Sequence, residues 1–161
     1  MKGKKHIAML VALMLTSTVQ ASVVISVDAV NGAKIGTVTA ENTPYGLLLT
    51  PHLTNLPAGV HGFHIHEMPS CADHAMAASG HLDPKKTGAH KGPYQDGHLG
   101  DLPVLIADKN GEATLPVLAP RLTEDLIKGH SLMVHAGGDN YSDKPEKLGG
   151  GGARLACGVI K

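Results

Sequence analysis

The run Val60-His61-Gly62-Phe63-His64-Ile65-His66-Glu67 reads as a β-strand and decides the architecture of the chain around it. A period of two sends His64 and His66 to one face and Phe63 and Ile65 to the other. Two imidazoles can then converge on one metal ion. The only phenylalanine of the chain sits behind them on the core side, where it holds the strand rigid. His61 shares the apolar face and reads as a core histidine whose ring nitrogens bond backbone groups.

Short β-like runs, most of them bounded by glycine or proline, lie on either side: residues 23–27, 35–39 and 47–50 before it, and 102–107, 113–118, 131–136 and 154–160 after it. With 60–66 they predict eight strands. Asp108-Lys109-Asn110-Gly111-Glu112 joins 102–107 to 113–118 as an expected hairpin, because Asn-Gly favours a tight turn. No long helical periodicity is present, and residues 122–127 have room for one helical turn. The fold class is therefore all-β: an eight-stranded antiparallel Greek-key sandwich or flattened barrel. Residues 68–101 and 137–153 are longer than ordinary connections and are expected to carry function. Gly149-Gly150-Gly151-Gly152 reads equally well as tight chain packing and as a flexible linker.

The first residues have the organisation of an export signal: basic Met1-Lys2-Gly3-Lys4-Lys5, an apolar run over 7–15, then polar Thr16, Ser17 and Thr18, with cleavage expected after Ala21. The apolar run is too short to span a bilayer, and no cysteine stands near the cleavage site, so no membrane anchor is expected. Residues 22–161 then form one domain. Three of the 14 basic residues, Lys2, Lys4 and Lys5, and no acid fall in the leader, leaving 11 basic against 14 acidic residues. That balance argues against a nucleic-acid partner. Cys71 and Cys157 are the only cysteines, and an exported chain most simply pairs them; two free buried thiols are the other reading.

Eleven histidines gain meaning only from their placement. Beyond His64 and His66, the first long segment brings His81, His90, His98 and Asp101 within 21 residues. Three imidazoles and a carboxylate can close a tetrahedral zinc shell, and such a closed site is structural. On spacing alone, solvated loop histidines are the alternative. His135 ends an apolar strand and by itself reads as a core residue. Met68, Cys71, His74 and Met76 form a soft-ligand neighbourhood. Its plainer reading packs Met68 and Met76 under the loop and leaves His74 exposed. His52 and His130 have no motif partner and default to the surface.

Five motifs in order, Gly62-Phe63-His64-Ile65-His66, Gly80-His81-Leu82-Asp83-Pro84, His98-Leu99-Gly100-Asp101, Met133-Val134-His135 and Gly152-Ala153-Arg154-Leu155-Ala156-Cys157-Gly158-Val159-Ile160, resemble the copper/zinc superoxide dismutases, in particular their exported bacterial branch. The resemblance covers nearly all of residues 22–161. It implies copper bound by His64, His66, His81 and His135, and zinc bound by His81, His90, His98 and Asp101, with His81 bridging the two. It further implies that Asp139 links a copper histidine to a zinc histidine, that Arg154 guides the anion, and that the cofactors are copper and zinc. The implied substrate is superoxide, the implied compartment the periplasm or another exported location, and the implied assembly either a monomer or a homodimer. Lys85, Lys86, Lys91, Lys144 and Lys147 are candidates for a positive funnel beside Arg154. A non-catalytic periplasmic copper carrier on the same fold is the competing reading, although a carrier needs neither a bridge nor an anion guide.

Overall fold

The computed structural model describes residues 22–161, so the expected leader at residues 1–21 lies outside the described residues. Among the described residues, the strands are β1 (Val23–Ala29), β2 (Lys34–Thr43), β3 (Gly46–Leu53), β4 (Gly59–His61), β5 (Phe63–His66), β6 (Leu105–Ala107), β7 (Val117–Ala119), β8 (Ser131–His135) and β9 (Arg154–Val159). The one-turn helix α1 (Glu124–Ile127) falls within the expected 122–127. Seven strands form one antiparallel sheet in the order β5-β8-β9-β1-β2-β3-β7, and β4 pairs with β6 in a second small sheet. The non-consecutive neighbours are the crossovers of the predicted Greek-key layout.

Alternation builds the interior. Ile25 and Val27 of β1, and Leu47, Leu49 and Leu53 of β3, turn inward onto Phe63, Ile65, Leu105, Leu132 and Val134 in one continuous core. β8 departs from simple alternation, being buried at all five positions. Leu132 and Val134 face that core, whereas Met133 packs with Cys157, Ala75 and Ala78 in a second cluster on the other face. The first long segment covers this face, and the Cys71–Cys157 disulfide ties it down.

Two expectations are corrected. The single strand at 60–66 is two strands, making nine instead of eight. It breaks at Gly62, whose N–H donates to Gly137 O (2.7 Å) while its carbonyl accepts from His135 N–H (2.8 Å). One chain run thus passes from the small sheet into the large one, and Gly62 is the corner. The hairpin at 102–118 is the second correction. Its turn forms, with Asp108 N–H on Glu112 O (2.9 Å), Gly111 N–H on Asp108 O (3.0 Å) and Gly111 at φ +78°. The flanks then part: β6 pairs with β4, Ala113 pairs with Leu53, and β7 pairs with β3. Pro103 and Pro116 withhold the N–H groups that a continued ladder between the flanks would use.

Candidate metal centre

β5 is the edge strand of the large sheet, and its free edge receives two stretches of the first long segment, around Leu82 and around Gly100. Leu82 N–H donates to Ile65 O (2.8 Å), Ile65 N–H to Gly100 O (2.9 Å) and Gly100 N–H to Leu82 O (2.9 Å). His66 lies in a β-bridge with His81, and His64 in one with Asp101. Residues far apart in sequence are thereby aligned like neighbours on adjoining strands. On the other side of β5 stands β8, which presents His135 at its end, where a register irregularity sets it opposite Arg154.

His64, His66, His81 and His135 form a buried set whose ligand atoms all lie within 4.8 Å of one another. His66 Nε2 and His135 Nε2 are 3.3 Å apart, and the His64 and His81 rings stack at 3.9 Å between centroids. A second buried set centres on Asp101. Its Oδ1 lies 3.0 Å from His81 Nδ1, 3.0 Å from His90 Nδ1 and 3.5 Å from His98 Nδ1. Its Oδ2 accepts the N–H groups of Lys91 and Gly92, both at 3.1 Å. His64 also falls within 4.8 Å of His81, His90 and Asp101, but its Nε2 is committed to Asp139, so its remaining nitrogen belongs with the first set.

Asp139 joins the two sets: Oδ2 bonds His64 Nε2 (2.8 Å) and Oδ1 bonds His90 Nε2 (2.7 Å), with all three side chains fully buried. Such carboxylate contacts fix ring orientation and tautomer. Arg154, opposite His135 in the β8–β9 pair, donates to the carbonyls of Ala75 and Ser79. Ser79 O also receives His66 Nδ1 (2.9 Å).

Four buried nitrogens make no hydrogen bond of good geometry: His64 Nδ1 and His81 Nε2, and His90 Nδ1 and His98 Nδ1, which only face Asp101 Oδ1 at 3.0 and 3.5 Å. An unpaired buried polar atom costs about 1–3 kcal/mol, so four in one pocket mark an arrangement organised around something else. Imidazole nitrogens with one carboxylate suit copper and zinc. Protonation supports the fit. Burial, reinforced by the charge of His81, lowers His64 to about 3 and His66 to about 2. Burial lowers His135 to about 4 against a hydrogen bond from its ring to Gly152 O, with His81 and Arg154 adding to the depression. His81 is also lowered, chiefly by burial. These rings are neutral at physiological pH, with lone pairs available. At His90 burial opposes the charge, but the two carboxylates against its ring, Asp101 and Asp139, prevail and push it up to about 9. Asp101 and Asp139 overcome their own burial through bonds to the histidines and lie well below the usual carboxylate range.

His64, His66, His81, His90, His135 and Asp101 lie in two overlapping close sets, His98 Nδ1 stands 3.5 Å from Asp101 Oδ1, Asp139 bonds His64 and His90, Arg154 lies opposite His135, and the cysteines pair. His61 is the expected core histidine, its ring between His135 O (2.8 Å) and Pro57 O (2.7 Å). His52 is exposed, and His130 bonds Glu67 O at the surface. Met68 and Met76 correct the packing expectation: both are more than half exposed, because the turn Met76–Ala78 points Ala78 inward in their stead. His74 is exposed as expected, and the five candidate steering lysines are exposed too. In the four-glycine run the tight packing falls on Gly149, where a Cβ would overlap Asp139 Oδ1 and stand 2.8 Å from His90 Nε2, and more loosely on Gly151 at 3.3 Å from the His135 ring, while Gly150 and Gly152 have room for one. Missed from sequence were Asp143, whose carboxylate accepts His90 N–H (2.8 Å) and Leu148 N–H (3.1 Å), and Tyr141, whose hydroxyl accepts Val104 N–H (3.1 Å). The doubled acid in Asp139-Asn140-Tyr141-Ser142-Asp143 was the available signal.

The family profile described as Copper/zinc superoxide dismutase (SODC) matches residues 34–160. A curated relative, superoxide dismutase (Cu-Zn) 1 of Salmonella typhimurium, is 57% identical over 140 residues, covering 81% of this chain and 79% of its own. The Cu/Zn superoxide dismutase from Brucella abortus superposes with a TM-score of 0.83 at 49% identity, covering 88% of this chain and all (100%) of its own. The solution structure of the monomeric copper, zinc superoxide dismutase from Salmonella enterica gives 0.77 at 52% identity, with 88% and 100% covered. Sequence, fold and the paired histidine sets agree that the chain belongs to the copper/zinc superoxide dismutase family.

Proposed function

We propose that His64, His66, His81 and His135 hold copper and that His81, His90, His98 and Asp101 hold zinc, with His81 shared, in an enzyme that converts two superoxide anions and two protons into oxygen and hydrogen peroxide. The observation that carries this assignment is the set of unpartnered buried nitrogens on the two sides of His81. Copper, when bound, supplies a one-electron couple that takes an electron from one superoxide and returns one to the next, while zinc supplies charge without redox chemistry. Arg154, held by the carbonyls of Ala75 and Ser79, offers a planar cation that orients the anion. His81 would stand between the two metals, its unpartnered Nε2 toward the first set and its Nδ1 toward Asp101, and Nε2 could hold one of the two protons that peroxide needs, the other coming from solvent. Asp139 keeps the His64 and His90 rings from turning.

The test is metal content and superoxide decay in the purified chain beside His81→Ala at equal metal loading. One copper and one zinc per chain, with fast decay lost or strongly altered in the variant, is the expected result. Full loading with decay at the background rate would overturn the enzyme and favour a copper carrier. Residues 1–21 are further proposed as a cleaved signal for the periplasm, supported by their charge and apolar pattern and by a disulfide suited to an oxidising compartment.

A further inference from the structure

The chain has two arginines, Arg121 and Arg154. Arg121 follows β7 in the connection to α1 and is remote in sequence from every histidine of the site. Its partly buried guanidinium donates to four carbonyls of a single loop: Nε to Pro93 O (3.0 Å), Nη1 to Gly97 O (3.3 Å), and Nη2 to both Gly92 O (3.3 Å) and His98 O. These carbonyls line the lobe strung between His90 and His98, whose neck is closed by His98 N–H on Ala89 O (2.9 Å). Among the described residues no carboxylate forms an ion pair with Arg121, so carbonyl dipoles alone match its charge. A rigid fork of five N–H donors can span four such acceptors, whereas an ammonium group cannot.

The lobe leads directly to the zinc side. Gly92 is held through both its backbone groups, its carbonyl by Arg121 and its N–H by Asp101 Oδ2 (3.1 Å). Asp101 Oδ1 faces His81, His90 and His98. We propose that Arg121 is a positioning residue for zinc: it fixes the 92–98 lobe, thereby setting the backbone of His98 and, through Gly92, the orientation of the Asp101 carboxylate. Arg121 thus clamps the zinc side with carbonyl contacts, as Arg154 clamps Ala75 and Ser79 beside the other histidine set. The inference rests on the assignment of His81, His90, His98 and Asp101 to zinc.

The test times zinc transfer to a chromogenic chelator at neutral pH from the loaded wild type, Arg121→Met, Arg121→Lys and Asp101→Asn, with copper release and circular dichroism followed on the same samples. Arg121→Met is expected to release zinc roughly 10- to 100-fold faster, the usual cost of removing a group that orients metal ligands, with copper release unchanged. Cobalt placed in the zinc site should show shifted d–d bands in this variant, and Arg121→Lys should not restore the wild-type spectrum or rate. Zinc release at the wild-type rate overturns the inference, as does equal acceleration of zinc and copper, which would mark a generally loosened fold. If Arg121→Met does not fold, wild-type zinc release from Arg121→Lys overturns it. Wild-type zinc release from Asp101→Asn would instead overturn the zinc assignment itself, whereas fast release from Asp101→Asn alone would sink only the role of Arg121.

Discussion

His90 is where the two long segments meet, since its ring bridges Asp101 and Asp139 and its backbone N–H reaches Asp143. The two carboxylates that orient the ring also raise its proton affinity, to about 9. In the metal-free protein at neutral pH the ring is therefore charged, and a metal must displace its proton. Because the ligand form is the deprotonated one, zinc affinity should climb as pH rises toward 9 and uptake should release protons. Asp139→Asn removes one of the two carboxylates, so His90 returns toward its ordinary value and fewer protons leave at neutral pH. It also frees the His64 and His90 rings to turn, which should weaken metal binding about 10- to 100-fold. Titration calorimetry in two buffers of different ionisation heat reads both quantities. An unchanged proton count together with unchanged affinity would remove Asp139 from the role proposed for it.

At the scale of elements, the site depends on how closely the first long segment lies along β5. Gly100 shows the tolerance: a Cβ there would overlap Ile65 O and come within 2.9 Å of Leu82 N, both of them backbone atoms of the contacts that hold the segment to the strand. Gly80, in the same segment next to His81, has open space where its Cβ would be. Gly100→Ala should therefore destabilise the metal-free fold by roughly 1–3 kcal/mol, as overpacking does, while Gly80→Ala stays within about 0.5 kcal/mol of wild type. Denaturant unfolding of the two variants side by side checks the contrast, and equal effects would show that the edge pairing does not set the position of the segment. The pairing of His64 and His66 was legible from a period of two and a zinc-like group from the short intervals at 81–101, whereas His135 and the division into two metal sets came only from the resemblance to a family. The contacts of Asp143 with His90, of Tyr141 with Val104 and of Arg121 with its loop were not, because they reach backbone groups across 23 to 53 positions and leave no periodicity. Strand faces were legible for the same reason as the ligand faces. Strand partners were less so: the turn at 108–112 was read correctly, yet its flanks go to different neighbours, a choice made by tertiary packing and by prolines that interrupt the ladder.

Across the whole molecule, one covalent link closes the structure around the site. Cys71 lies in the first long segment and Cys157 in β9, a sequence separation of 86, so the bridge ties the cover of the histidine face to the strand beside β8. It also fastens Ala75 and Ala78, which pack on Met133 and Cys157 and whose neighbourhood supplies the carbonyls that hold Arg154. Closing a loop of 86 residues in the unfolded chain is worth about 4–5 kcal/mol in the chain-entropy account. Replacing both cysteines, Cys71→Ser with Cys157→Ser, should lower the unfolding free energy of the metal-free protein by up to about that amount. The metal-free form is the right one to measure, because bound copper and zinc would add their own stabilisation and mask the difference. The same bond makes export consequential, since a reducing cytoplasm would leave the two thiols open and the histidine face loosely covered. Intact mass of the chain recovered from a bacterial periplasm should correspond to a start at Ser22 and a mass two hydrogens short of the dithiol form. A chain that retains residues 1–21 there would show that they are not a cleaved signal, and one with two free thiols and undiminished stability would remove the bridge from what stabilises the fold.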